Sequence, residues 1–196
     1  MPSAIYVDQN DIDTPIPLVV VPPINFSLVV PGIYRSGHPN KKNFNFLKRL
    51  NLKNVIYLES LKDENEGESY RIDSLNFINE NRINLFEFNL SKENNLFTLQ
   101  GKQNLNDLLI IILNKQNYPI LIHDDTGKNT SSLICSLIRK FQNWSLTSIF
   151  QESDLFAGPA GGSEGLGLGE AGMEFIASFD PKMFKYDKQY KPDWLD

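Results

Sequence analysis

The run Pro119-Ile120-Leu121-Ile122-His123-Asp124-Asp125-Thr126-Gly127-Lys128-Asn129-Thr130-Ser131-Ser132 gathers the residues of this chain best suited to chemistry. Its apolar start predicts a short buried strand, and the apolar spacing after Thr130 predicts an amphipathic helix. A loop between the two aims free backbone N–H groups and a helix N-terminus at one point, which makes a cradle for an anion. Two carboxylates, Asp124 and Asp125, stand where the anion would be expected. The loop therefore either does aspartate chemistry or is an anion site that has been switched off.

Two chemistries can be tested on spacing alone. Gly127-Lys128 between a strand and a helix suggests a nucleotide-binding P-loop. That motif needs a glycine where Ile122 stands and a Ser or Thr where Asn129 stands, so it is rejected. Asp124-Asp125-Thr126-Gly127 superficially matches the nucleophile motif of haloacid-dehalogenase-type phosphotransferases, in which a carboxylate is the covalent nucleophile. Such enzymes need a magnesium site and a lysine on later strands. The residues after Asp124 read as helices, a glycine-rich segment and a tail, so the motif comes too late in the chain.

The elements that must position this loop can be read by periodicity. Strands are expected at Phe26–Val30, Ile33–Arg35, Asn54–Leu58, Leu85–Leu90 and Ile120–His123. Helices are expected from Phe44 to Leu50, Tyr70 to Asn81, Leu99 to Asn114, Thr130 to Gln142 and Ser145 to Phe156. Strands alternating with helices imply an α/β fold with a central, largely parallel sheet flanked by helices, and a ligand site at the C-terminal end of a central strand. Residues 1–21 read as an extended arm, acidic and then proline-rich; residues 22–182 as one domain; and residues 183–196 as an aromatic tail that docks on that domain or, as the second option, on a partner. Lys62 to Glu68 reads as a solvated charged loop, and Gly158 to Gly172 as a glycine-rich loop or insertion.

A chain of 196 residues that is 41% hydrophobic can bury one good core. The net charge of −5 argues against nucleic acid as a partner. The single cysteine, Cys135, excludes an intramolecular disulfide and reads as a small buried residue on the helix after the loop. Without a signal-peptide pattern or an apolar run long enough to span a bilayer, the expectation is a cytoplasmic protein with no membrane association. No cofactor and no metal are expected.

The residues carrying a family pattern are Pro22-Pro23-Ile24-Asn25-Phe26-Ser27-Leu28-Val29, Gly32-Ile33-Tyr34-Arg35-Ser36, Pro39, Asn43-Phe44, Phe46-Leu47 and Leu52-Lys53-Asn54-Val55-Ile56. They continue with Lys92-Glu93, Pro119-Ile120-Leu121-Ile122-His123, Gly127-Lys128, Ile138-Arg139-Lys140 and Gln142-Asn143-Trp144-Ser145-Leu146-Thr147. Brief matches return at Phe175-Ile176 and Phe179-Asp180. Over residues 22–180 the chain resembles the plant and fungal atypical dual-specificity phosphatases, the family of the yeast oxidant-induced-cell-cycle-arrest proteins and the inositol pyrophosphate phosphatases. The resemblance implies a cysteine-phosphatase (dual-specificity-like) fold.

It also exposes a departure. The family's active loop is His-Cys, five residues, then Arg; the thiolate attacks phosphorus and the arginine fork holds phosphoryl oxygens. Aligned through His123 and Gly127-Lys128, the cysteine position holds Asp124 and the arginine position Thr130. The loop His123, Asp124, Asp125, Thr126, Gly127, Lys128, Asn129, Thr130 is thus degenerate, with no catalytic residue expected and Gly127, Lys128, Asn129 and Thr130 left as the anion-binding candidates. Asp124 itself is expected to accept the loop N–H bonds in place of an anion. His123 is expected to be a buried, hydrogen-bonded core histidine. Ala160 to Gly172 holds no basic residue where active relatives carry some.

These residues lead to the expectation of a tyrosine-phosphatase-like pseudophosphatase. The resemblance implies a scaffold or regulatory subunit in a hetero-oligomeric complex with phosphatase-family paralogues, acting in stress or cell-cycle signalling. The alternatives are a sensor that binds phosphate or an inositol pyrophosphate without turnover, and a residual protein tyrosine or inositol pyrophosphate phosphatase; a weak phosphate or inositol phosphate ligand is a further partner expectation.

Overall fold

The computed structural model describes residues 20–58, 67–90, 96–157 and 168–195. A five-stranded sheet is built from β1 (Ser27–Val30), β2 (Ile33–Ser36), β3 (Asn54–Tyr57), β4 (Asn84–Glu87) and β5 (Ile120–His123), in the order β1-β2-β5-β3-β4. Only β1 and β2 run antiparallel, joined by the tight turn at Gly32; β2, β5, β3 and β4 are mutually parallel. Among the described residues, α1 (Phe44–Lys48), α2 (Gly67–Glu80) and α3 (Leu99–Ile112) alternate with the strands, and α4 (Thr130–Phe141), α5 (Leu146–Ala157) and α6 (Gly169–Ser178) follow β5 in succession. The α/β, largely parallel architecture expected from periodicity is the one found.

The pleat of the central strands decides which helices go where. Successive residues point to opposite faces. Ile56, Ile120 and Ile122 face one side, where they pack with Leu108, Leu109 and Ile112 of α3 and Ile134, Leu137 and Ile138 of α4. Val55 and Leu121 face the other, against Leu47 of α1 and Phe77 and Ile78 of α2. Each fully buried Ile or Leu contributes roughly 1.5–3 kcal/mol of transfer free energy, so β5, buried along its whole length, anchors the loop that leaves its end.

α4 is buried on nearly all sides, including Ser131, Ser132 and Ser136 as well as its apolar face. Small side chains there let α5 and α6 lie against it. Arg139 ties α4 to α5 by a bidentate pair with Glu152, at 2.7 and 2.6 Å, beneath the Trp144 ring. A paired fork of this kind offsets part of the desolvation cost that a buried guanidinium carries.

Several boundaries differ from the sequence expectation. α2 starts at Gly67, so Gly67 and Glu68 belong to a helix and not to the charged loop. β4 ends at Glu87, not Leu90. α6 includes Gly169 to Gly172, which the sequence reads as part of the glycine-rich loop. Residues 1–19, 59–66, 91–95 and 158–167 lie outside the described residues, and with them most of the arm, the charged loop, Lys92-Glu93 and the rest of the glycine-rich segment.

The aromatic tail docks on its own domain. Phe184, Tyr186 and Trp194 pack against the α3/α4 core, and Leu195 is buried. Trp194 Nε1 donates to the Tyr118 hydroxyl at 3.2 Å, and Lys115 pairs with Asp193 at 2.8 Å.

Candidate functional site

Asp124 leaves the end of β5 with its carboxylate turned into the loop. Oδ1 accepts from the backbone N–H of Thr126, at 3.0 Å, and from that of Gly127. Oδ2 accepts from the Ser131 backbone N–H at 2.8 Å and from the Ser131 hydroxyl at 2.6 Å. Both oxygens are thus doubly bonded to donors, and the residue is 1% exposed. Ser131 is the second residue of α4, and the Asn129 side chain provides no cap, so Asp124 answers an N–H that the helix start would leave unpaired. A carboxylate at a helix N-terminus also gains from the macrodipole.

The N–H groups converge because the loop's carbonyls are held elsewhere. His38 N donates to Asp125 O at 3.1 Å, Asn25 Nδ2 to Thr126 O at 2.8 Å, and Arg35 Nη2 to Gly127 O at 2.7 Å. Arg35 also reaches the Ser132 hydroxyl at 2.8 Å and lies under the Phe156 ring, 3.7 Å from its centroid. It is among the largest fully buried side chains, on β2 beside β5. Gly127 has φ +73°, and a Cβ there would meet the Gly37 backbone nitrogen at 2.5 Å. Both the left-handed conformation and the close backbone approach call for glycine.

Beside the loop, both histidines of the chain are buried. The His123 ring stacks on Tyr57, with centroids 4.9 Å apart, and meets His38 edge-on at 5.1 Å. Burial, reinforced by the neighbouring His38, pushes the His123 pKa down to about 3 against a backbone hydrogen bond with Asp124. Burial pushes His38 down to about 4, opposed by the charge of Asp125; His38 Nε2 lies 3.0 Å from the Ser74 hydroxyl. Both rings are neutral at pH 7. Tyr57 donates to Asp125 Oδ1 at 2.8 Å, which ties the outer carboxylate to β3.

The expected site residues therefore divide. Asp124, Gly127 and the start of α4 come together; Asp125, Thr126 and Asn129 are exposed on the outer side, with Lys128 half-buried and Thr130 buried at the first position of α4. Gly127, an anion-binding candidate, has its N–H committed to Asp124. Cys135 lies buried in α4 with its thiol pKa raised, chiefly by burial, so it is no nucleophile. Among the described residues no group of three His, Cys, Asp or Glu could hold a metal. Sequence reasoning missed Ser131, Arg35, Asn25 and Tyr57. Arg35 and Asn25 lie inside the matched motifs, so the signal was present without its geometry.

A model of the tyrosine phosphatase family matches residues 20–196. The chain belongs to this family. Within it, the plant and fungal atypical dual-specificity branch is the relevant one. The chain is 36% identical to inositol diphosphatase DSP3 of Arabidopsis thaliana over 162 residues, 83% of this chain and 73% of that protein. It is 42% identical to inositol diphosphatase SIW14 of Saccharomyces cerevisiae over 141 residues, 71% of this chain but 48% of the relative. The crystal structure of the SIW14 core catalytic domain with citrate superimposes with a TM-score of 0.66 at 36% identity, covering 85% of this chain and 91% of that one. The cysteine-phosphatase fold follows directly. Among the described residues no helix is long and apolar enough to cross a membrane.

Proposed function

We propose that this chain is a pseudophosphatase: a family member that keeps the fold of the phosphate loop, carries no catalytic cysteine or arginine in it, and serves as a binding or regulatory subunit. The observation that carries this reading is the Asp124 carboxylate on the N–H groups of Thr126, Gly127 and Ser131. A phosphoryl group would compete for the same donors and meet a negative charge. Two unit charges about 4 Å apart repel by roughly 4 kcal/mol at an effective dielectric of 20. Loss of a nucleophile commonly costs about 10⁶ in kcat, and loss of a bidentate Arg contact removes charge-assisted bonds of roughly 1.5–3 kcal/mol each. Lys128 alone does not offset these terms.

The relatives are named inositol diphosphatases, which supports reading an inositol pyrophosphate as the substrate class whose turnover this chain lacks. As partners we propose phosphatase-family paralogues in a cytoplasmic hetero-oligomeric complex, in stress or cell-cycle signalling, a reading that rests on the family resemblance. Turnover of an aryl phosphate and of an inositol pyrophosphate tests the catalytic half. No turnover above an unrelated control is expected. Turnover by the wild type that disappears in Asp124→Ala would overturn it. Recovery of paralogues in a native pull-down tests the partner half, and a chain that stays alone contradicts it.

A further inference from the structure

The segment after α6 holds on to the domain by its side chains. Its backbone hydrogen bonds are local: Met183 N donates to Asp180 O, Phe184 N to Pro181 O, Lys191 N to Lys188 O and Leu195 N to Pro192 O. Among the described residues, no backbone–backbone bond joins residues 181–195 to a strand or helix of the domain. The anchors are aromatic. Phe184 and Tyr186 meet the Phe141 ring of α4 edge-on, with centroids 5.7 and 6.5 Å away. Trp194 donates to the Tyr118 hydroxyl, which itself donates to the Ile112 carbonyl at the end of α3, at 2.6 Å. Pro192 and Leu195 are buried, while Lys182, Lys185, Asp187 and Lys188 are exposed on the outer side.

A few aromatic anchors on an apolar surface, with no share in the sheet's hydrogen bonds, are the way a docked peptide is held. The ion pair between Lys115 and Asp193 adds little, since its side chains are 46% and 90% exposed. It marks where the tail lies.

We propose that the surface of α3, α4 and Tyr118 under the tail also receives residues 181–195 of a second copy of this chain, the two copies exchanging tails reciprocally. The structure shows one occupant that fits this surface, and it is this sequence. The tail of another copy would meet Phe141, Tyr118 and Ile112 with the same anchors, so no new contact has to be built. The joint is short: Asp180, at φ −104° and ψ 107°, is extended backbone ahead of the 3₁₀ turn at Pro181–Met183, and rotation there redirects the whole segment. Reciprocal exchange closes on itself as a two-fold pair. A tail on its own chain competes at an effective concentration of millimolar order, so exchange follows where copies are concentrated, as in a complex. The exchange gives the scaffold reading a surface and in that sense rests on it. Its test reads the tail and no phosphate chemistry, so each can fail alone.

Cross-linking of full-length chains reads the exchange directly. Lys115→Cys and Asp193→Cys put accessible thiols on the two sides of the tail contact, while the native Cys135 is buried. With a short bismaleimide, the double variant should cross-link within one chain and keep the monomer mass of 22.4 kDa. The two single variants, incubated together at high concentration, should give a mixed cross-linked pair, which intact mass separates from either homodimer. That pair should form in several-fold excess over Asp193→Cys incubated with Lys48→Cys, whose thiol lies on α1 across the sheet. Adding Trp194→Ala to the Asp193→Cys chain should remove the excess, because the anchor is the same within and between chains. A mixed pair no more abundant than the Lys48→Cys control, or one indifferent to Trp194→Ala, overturns the proposal. A double variant that fails to cross-link within one chain overturns it too, because the tail then does not lie on this surface.

Discussion

Asp124 carries the most testable physics of any single residue here. Its substitution by alanine leaves the N–H groups of Thr126, Gly127 and Ser131 without their buried acceptor. Unsatisfied buried donors cost about 1–3 kcal/mol each, tempered by loop relaxation, so Asp124→Ala should lose about 2–5 kcal/mol in urea unfolding. The two histidines make a second, independent case. Each has a folded-state pKa below the unfolded value of 6.5, so below pH 6.5 the unfolded chain takes up protons that the folded chain refuses. Stability is therefore whole above pH 6.5 and falls towards pH 4, by about 3 kcal/mol per imidazole. Measured as urea midpoint against pH, His38→Gln should remove about half of that slope. The sequence made Asp124's partner type legible because its position in a strand–loop–helix is local. It hid Ser131, whose hydroxyl and N–H meet Asp124 only once the loop has closed.

At the scale of elements, the loop is shaped from outside. Asn25 ahead of β1, Arg35 on β2 and His38 after it hold three successive carbonyls, and this turns the N–H groups inward. Gly127→Ala combines a positive φ with a clash against the Gly37 backbone, and should cost about 2–4 kcal/mol in unfolding free energy. Arg35→Met keeps an apolar stem but drops both hydrogen bonds and the guanidinium that lies over Phe156. It should destabilise by about 2 kcal/mol and speed amide exchange at Gly127. Strands and helices were legible wherever apolar spacing was regular, as in β5 and α3. α6 was not, because Gly169 and Gly172 made its first turn read as a loop, and its helical state depends on packing over α4. The grip of Arg35 on the loop was invisible for the same reason: it joins residues 92 apart in sequence.

For the molecule as a whole, the tail is part of the domain. Trp194→Ala removes a half-buried ring and its hydrogen bond to Tyr118, and should lower unfolding free energy by about 2 kcal/mol without altering the loop. The density of aromatics in that segment made docking legible in the sequence, although not the surface it reaches. The family pattern spread across the chain told more than any one motif, since the proposal that Asp124 and Thr130 stand at the positions of a cysteine and an arginine rests on it. The central claim is that the phosphate cradle is filled by the protein's own carboxylate. Calorimetric titration with inorganic phosphate tests it most directly, on the wild type and on Asp124→Ala side by side. The wild type should give no binding heat, and the variant should bind and gain melting temperature as the anion takes the place of the carboxylate. Phosphate binding by the wild type at least as tight as by the variant would contradict the account.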